Sequence, residues 1–411
     1  MAANSFFKAV MLRPALPRAP RIQPVLIAIA PLSTTSSLAA GPPSVKSRRD
    51  IVKPTKKTFN KKRLGLDNVK KPAPGERKAF RKRITLSSNS ALAVEGLQAI
   101  EGGVLADAQN AATVVQLPDQ IVDQLRTLGA FRSTQSWGLF RKPHVLVRKE
   151  TVEMIALMDK SVFSKQVAKI ILTGSRASGK STALVQAMSH ALKNDWVVIN
   201  IPEAQDLVIA HTDYVPVPNT EPMQFTQPTY TLNLLQNILK ANRAALEKLK
   251  VEQKSSLTGG LPEGSSLADL VVNIREPDAA WPGFLALWSE LMLPGRPPVL
   301  MAMDGLTFAN KDSAYRDPAF NKVHAHNLTL VGHFFAALAG SKNMPNGGAN
   351  CRVVRLEGVS KDEARALMEY WGDSGLVRSV LSAELVAQKW ALGGHGNIGE
   401  MERVVLQNLK M

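Results

Sequence analysis

VAKIILTGSRASGKSTALVQAMSHAL, residues 167–192, reads as a short apolar strand, a glycine-bounded loop and a helix of good formers with no breaker. The loop fits the pattern GxxxxGK[ST], and the strand before it and helix after it are the context that pattern needs. Gly174 and Gly179 permit backbone angles that a Cβ would obstruct, so the N–H groups of Ser175, Arg176, Ala177 and Ser178 can turn toward one phosphate cluster. Lys180 supplies a point charge for the β and γ phosphates, Ser181 a hydroxyl for Mg2+, and Thr182 follows in the first helical turn. The helix N-terminus adds its partial positive charge. The stretch predicts binding of a nucleoside diphosphate or triphosphate through its phosphates, and GTP, GDP and ATP all fit it because the motif does not read the base.

A P-loop needs a second acid for the magnesium shell, at the end of a neighbouring apolar strand. PVLMAMD, residues 298–304, offers Asp304, which would reach the metal through water. The competing reading of Asp304 is a turn residue before glycine. Gly305 follows, where a hydrolytic ring ATPase would carry a glutamate to activate water. Nucleotide binding is therefore expected with hydrolysis weak or absent, and no catalytic residue is assigned. Asn310, Lys311 and Asp312 lack the spacer of a guanine-reading Asn-Lys-x-Asp and read as a polar loop. His324, His326 and His333 have no acid at metal-ligand spacing and read as surface or packing residues.

Outward from this core, strands near 167–173, 196–201, 299–303 and 352–356 alternate with helices. That predicts an α/β fold of the P-loop NTPase, AAA+-like kind: a parallel sheet with helices on both faces and a small helical C-terminal lid. Residues 232–249 read as one covering helix, 255–266 as a loop, and 361–371 and 383–392 as lid helices with Ser360 as a cap. The chain divides into a presequence (1–40), an extended basic arm and linker (41–114), the nucleotide domain (115–356) and the lid (357–411).

Charge supports that division. The 411 residues carry a net +17, yet residues 1–83 hold 20 Lys and Arg against Asp50, Asp67 and Glu76, which leaves the remainder neutral. Residues 1–49 lack acids, carry Lys8, Arg13, Arg18 and Arg21 and run into PLSTTSS, a mitochondrial presequence composition. Residues 46–83 place Lys/Arg clusters among prolines and glycines, which suits an extended arm on RNA phosphates, or otherwise a solvated charge run. The single cysteine, Cys351, excludes an internal disulfide framework and reads as a small strand residue. No apolar run reaches the roughly 20 residues of a membrane span.

NDWVVINIP (194–202), YTLNLLQNILKAN (230–242), the 266–291 stretch around Trp281 and the VLMAMDG strand occur in an order that resembles the death-associated protein 3 family. FRSTQSWGLFRKPHVLVR (131–148) and GGHGNI (393–398) extend the resemblance over about 115–411. It implies a GTP-binding protein of the mitochondrial small ribosomal subunit in the matrix. Its partners would be mitochondrial rRNA and other small-subunit proteins, with large-subunit proteins across the intersubunit face as further candidates. Carried over residue by residue, it assigns the phosphate loop to Gly174 through Ser181 with Thr182, and the magnesium acid to Asp304. The competing function is an active AAA+-type NTPase that couples hydrolysis to remodelling. One departure stands out: after His326 and Leu328 the family pattern calls for a further strand and helix, whereas NGGA (346–349) runs almost directly into CRVVRL. A core strand is expected to be short, fused or absent.

Overall fold

The structure is a computed structural model that describes residues 84–101, 103–253, 262, 264–339 and 351–406. The expected presequence and the Lys/Arg-rich stretch 46–83 lie outside them. Part of the stretch read as linker packs into the core, where Leu86, Ile100 and Leu105 are buried.

In chain order the first layer contains β1 (Val114–Gln116), α1 (Asp119–Thr127), β2 (His144–Leu146) and α2 (Lys149–Ser164). Then come β3 (Lys169–Gly174), α3 (Lys180–Lys193), β4 (Val197–Ile201) and α4 (Ala204–Val208). A hairpin, β5 (Val215–Val217) and β6 (Gln224–Thr226), leads into α5 (Pro228–Ala241), α6 (Arg243–Lys248), α7 (Leu267–Asn273) and α8 (Ala280–Leu291). The second half continues with β7 (Val299–Met303), α9 (Leu306–Ala309), the hairpin β8 (Asp312–Arg316) and β9 (Lys322–His324), and α10 (Thr329–Ala339). Last are β10 (Cys351–Leu356) and three helices, α11 (Lys361–Asp373), α12 (Ala383–Leu392) and α13 (Ile398–Leu406). Among the described residues no helix is long and apolar enough to cross a membrane.

The chain is mixed α/β, and its strands differ from the expected sheet in one respect. β3 pairs in parallel with β10, Lys169 opposite Cys351, and β4 pairs in parallel with β7, Val197 opposite Val299. Instead of one continuous sheet these are two separate two-stranded pairs. Parallel strands hydrogen-bond only to an adjacent strand, and none described lies between β3 and β7. Cys351 opens β10 and is exposed. Asp312 belongs to a strand, not to the polar loop expected for it.

Local chemistry explains the helix ends. Ser360 caps α11 in a capping box with Glu363, as its position before the apolar pattern predicts. Ser266 and Asp269 cap α7 in the same way. The single helix expected over 232–249 is two, because Asn242 turns inward between α5 and α6. Its side chain accepts from the Val198 amide at 2.8 Å and donates to the Val198 carbonyl at 2.9 Å, standing in for a neighbouring strand. Gln186, also buried, accepts from Thr151 and donates to the Leu146 carbonyl, both at 2.7 Å.

Three apolar clusters fill the described residues. One sits among α1, α2, α3 and the segment before β1, a second surrounds β4 with α5, α7 and α8, and a third joins α11, α12 and α13 to Phe140 and Leu146. His144 lies in the third contact region, 4.3 Å from the Phe140 ring and 4.0 Å from the Tyr370 ring, centroid to centroid. His333 sits edge-on to Trp288 in the second.

Burial pushes the His144 imidazole down to about 3, a hydrogen bond to the Lys142 backbone opposing it only in part. Its folded pKa therefore lies below the unfolded value near 6.5, so its neutral form stabilises the fold fully above that pH and the contribution is lost as pH falls toward 3. Burial also lowers His326 and His333, with the same sign. We expect unfolding free energy to drop by about 1.4 kcal/mol per pH unit below pH 6 from His144 alone. In urea titrations from pH 7 to 5, His144→Phe should show a shallower slope than the parent. An identical slope would show that His144 is not the acid-sensitive group.

Candidate functional site

The strand-loop-helix stretch forms as expected, with β3 ending at Gly174 and α3 starting at Lys180. Gly174 has φ +148°, and a Cβ there would lie 2.4 Å from the Leu356 carbonyl of the neighbouring strand and 2.8 Å from Ser178 Oγ. Glycine is thus required by β10 as well as by the loop. Gly179 has φ +94° and Ala177 φ +62°, both left-handed, which curls the intervening backbone. Ser175, Arg176 and Ala177 are exposed, Ser178 is buried, and Gly179, Lys180, Ser181 and Thr182 are half-buried at the start of α3.

The loop encloses its own lysine. Lys180 Nζ donates to the Gly174 carbonyl at 3.0 Å and to the Ser175 carbonyl. The first amides of α3 have no acceptor within the helix, so the concavity presents donors and an ammonium together. From the other half of the chain, Asp304 at the end of β7 accepts from Ser181 Oγ at 2.6 Å through Oδ2 and from the Gly305 amide at 2.7 Å through Oδ1. Ser181 and Asp304, named from sequence as the magnesium pair, are therefore in direct contact. Gly305 has φ +79° and offers no side chain beside that carboxylate.

Four participants were not singled out from sequence. Arg132 donates to Asp304 Oδ2 at 2.7 Å and to the Pro202 carbonyl, and pairs with Glu203 at 3.0 Å. Its guanidinium balances the carboxylate. Arg148 is buried and donates to the Ser178 carbonyl at 3.0 Å and to the Glu357 carbonyl at 2.8 Å, binding the loop to the segment after β10. From the lid, Asn397 Nδ2 donates to Ser175 Oγ at 3.1 Å and to the Arg176 carbonyl at 2.9 Å. The Gly399 amide donates to the Ala177 carbonyl at 3.1 Å, and a Cβ at Gly399 would lie 2.6 Å from that of Ala177. Arg132, Arg148 and Asn397 all lie inside stretches that carry the family resemblance, but nothing in their local spacing marks them.

His324 and His326 contact each other rather than the loop, and among the described residues no group of three or more His, Cys, Asp or Glu side chains is arranged to hold a metal.

The sequence profile of a family described as mitochondrial ribosomal death-associated protein 3 matches residues 145–352 and 349–404. A Neurospora crassa protein named small ribosomal subunit protein mS29 is 38% identical over 436 aligned residues, covering 92% of each chain. Proteins of the same name from Bos taurus and Mus musculus are 26% and 23% identical over 157 and 165 residues, 38% and 39% of this chain and 36% and 39% of theirs.

Asn397 is the side chain by which the lid holds the loop. Removing it in Asn397→Ala should lower the opening free energy of this contact by about 1–2 kcal/mol, a roughly tenfold loss of hydrogen-exchange protection at the Gly399 amide, which donates to the Ala177 carbonyl, with α11 unaffected. Unchanged protection there would mean that the lid does not restrain the loop.

Proposed function

Because the chain belongs to the mitochondrial ribosomal death-associated protein 3 family, we propose that it is a structural component of the mitochondrial small ribosomal subunit whose Gly174–Ser181 loop holds a purine nucleotide. It resides in the mitochondrial matrix. The observation that carries the nucleotide reading is the convergence of Lys180, Ser181 and Asp304, from two different strand pairs, on one donor-rich concavity.

A phosphate chain fits the residues present. The cradle exists only because Gly174 and Gly179 lack a Cβ, and its donors are backbone amides and one ammonium. Gly174 through Ser181 would hold the phosphates, with Thr182 beside them, and Lys180 would exchange its loop carbonyls for phosphate oxygens. Mg2+, when bound, would shield the phosphate charge, with Ser181 as ligand and Asp304 oriented toward its water shell by the Gly305 amide. Arg132 already neutralises Asp304, which favours retention of the site's geometry with or without the metal. This is a P-loop NTPase arrangement in which the ligand is held and not turned over. Gly305 supports that reading, since no carboxylate follows Asp304 to activate water. GTP or GDP is the family's ligand class, and the cradle accepts ATP equally because it addresses phosphates alone.

The basic stretch 46–83, with its excess of Lys and Arg, suits a contact with mitochondrial rRNA that neutralises backbone phosphates without reading bases. Neighbouring small-subunit proteins, and large-subunit proteins across the intersubunit face, are the remaining partners.

Purified protein should carry nucleotide that is released on acid extraction and rebinds with a Kd below about 10 μM. Lys180→Ala should lose it while keeping its fold. Failure of both GTP and ATP to bind would sink the nucleotide reading, and turnover approaching about one per second, abolished in Lys180→Ala, would sink the holding role. Deleting 46–83 should weaken RNA association and flatten its dependence on salt. An unchanged salt slope would place the RNA contact elsewhere.

A further inference from the structure

The hairpin of β8 and β9 has two faces of different character. Its inward face is fixed to the body of the chain. Tyr315 is 2% exposed, and its hydroxyl accepts from Gln227 Nε2 at 3.0 Å and donates to the Thr212 carbonyl at 3.1 Å. Ser313 Oγ donates to the Val323 carbonyl at 2.6 Å, and the Tyr214 hydroxyl, just before β5, donates to the Arg316 carbonyl at 2.8 Å. On the outward face Asp312, Ala314 and Arg316 of β8 and Lys322 of β9 are exposed. Arg316 and Lys322 are cross-strand partners, so two cations stand directly opposite each other. Such a pair costs stability unless an anion accompanies it. Among the described residues neither forms an ion pair, and the acid on that face, Asp312, lies at the other end of the ladder.

The turn that joins these cations is closely tied. The Phe320 amide donates to the Asp317 carbonyl at 2.9 Å and the Asp317 amide to the Asn321 carbonyl at 3.0 Å. Asn321 donates to both oxygens of the Asp317 carboxylate, from its backbone amide at 2.7 Å and its side chain at 3.1 Å, which engages that acid within the turn. Arg316 Nη1 donates to the Phe320 carbonyl at 3.2 Å. Together these contacts hold Phe320 at φ +64°, in the left-handed region. Glycine or asparagine suits that region, and a bulky side chain enters it at a cost. The Phe320 ring is 83% exposed, so burial does not offset the cost. A strained backbone that holds an aromatic ring in solvent beside two unneutralised cations points to a ligand with a flat face and an anionic chain.

Protein interfaces set their aromatic anchors among apolar neighbours and are depleted in lysine at their centres. Around Phe320 the exposed neighbours are Pro318, Ala319, Asn321 and the two cations. A nucleotide matches this set better, because its base stacks on an aromatic ring and its phosphates take arginine and lysine. The base must be unpaired, since bases within a duplex are stacked on each other and offer a protein ring no face. Membership of a ribosomal protein family makes RNA the polyanion at hand. We propose that the β8–β9 hairpin is an RNA contact distinct from the stretch 46–83, in which Phe320 stacks on an unpaired base of a loop or bulge and Arg316 and Lys322 hold the flanking phosphates. The contact is independent of any nucleotide at the 174–181 loop. Stacking accepts every base, so the hairpin selects unpaired RNA over duplex rather than one sequence. Tyr315, Tyr214 and Asn321 fix the hairpin before the RNA arrives, which keeps the ordering cost of binding low.

The full chain is tested with two RNA probes of equal phosphate number, a stem-loop with unpaired 2-aminopurine in its loop and a fully paired duplex. Phe320→Gly should weaken binding of the stem-loop about tenfold, remove the fluorescence change of its 2-aminopurine and leave duplex binding unchanged. Phe320→Trp should retain both signals. Because glycine relieves the left-handed position, Phe320→Gly should melt no lower than the parent, which separates loss of binding from loss of fold. Changing Arg316 and Lys322 together to glutamine should reduce the salt slope of stem-loop binding by about one to two. Equal stem-loop binding by the parent and Phe320→Gly overturns the proposal, and so does an equal loss for both probes. In ribosomes isolated from mitochondria, ultraviolet cross-linking followed by trypsin should leave a nucleotide on the peptide 317–322, DPAFNK. Attachment of that peptide to another polypeptide would make the hairpin a protein contact and overturn the RNA assignment.

Discussion

The Asp304 carboxylate joins two halves of the chain that share no strand ladder. On one side stands the β3–loop–α3 unit with β10, and on the other β4 and β7. Ser181 reaches across to Asp304 at 2.6 Å and Arg132 neutralises it at 2.7 Å while holding the turn after β4 through Pro202 and Glu203. A carboxylate in a half-buried cleft requires such partners, since a lone charge there costs several kcal/mol. The same contacts fix how far the loop stands from the end of β7. The geometry of the Gly174–Ser181 loop therefore depends on this carboxylate as much as on its own glycines.

Arg148 performs the matching task on the opposite side. Buried beneath the loop, it satisfies the Ser178 and Glu357 carbonyls and so joins the cradle to the start of the lid. Asn397 and Gly399 then close the lid onto the outer face of the loop. The loop is held from below by an arginine, from the side by a carboxylate and from above by an amide. Each contact comes from a different part of the chain.

That distribution explains what could be read from sequence. The β3–loop–α3 unit is local: its glycines, apolar strand and helix formers lie in one window, and the capping box at Ser360 and Glu363 is equally short in range. Asp304 was legible because an apolar strand ending in an acid is a pattern. Arg132 is 172 residues from the carboxylate it neutralises, and Asn397 is 222 residues from Ser175, so no spacing rule connects them. The break at Asn242 was hidden for a related reason. The helical periodicity continues through it, and only a tertiary contact with Val198 favours the kink. The separation of the β3 and β7 pairs among the described residues was foreshadowed by the short passage from Leu328 to Cys351 in the sequence.

The side chain of Asn242 also bears on how the interior avoids unpaired backbone. Val198 directs its amide and carbonyl away from β7, along the outer margin of β4, and β4 is buried along its whole length, so neither group can turn to water. By occupying both with one carboxamide, Asn242 completes the margin at the cost of a helix break and without an additional strand. A change to leucine there would leave two buried backbone groups unpaired while removing no apolar contact, a loss that no repacking of the surrounding side chains could recover.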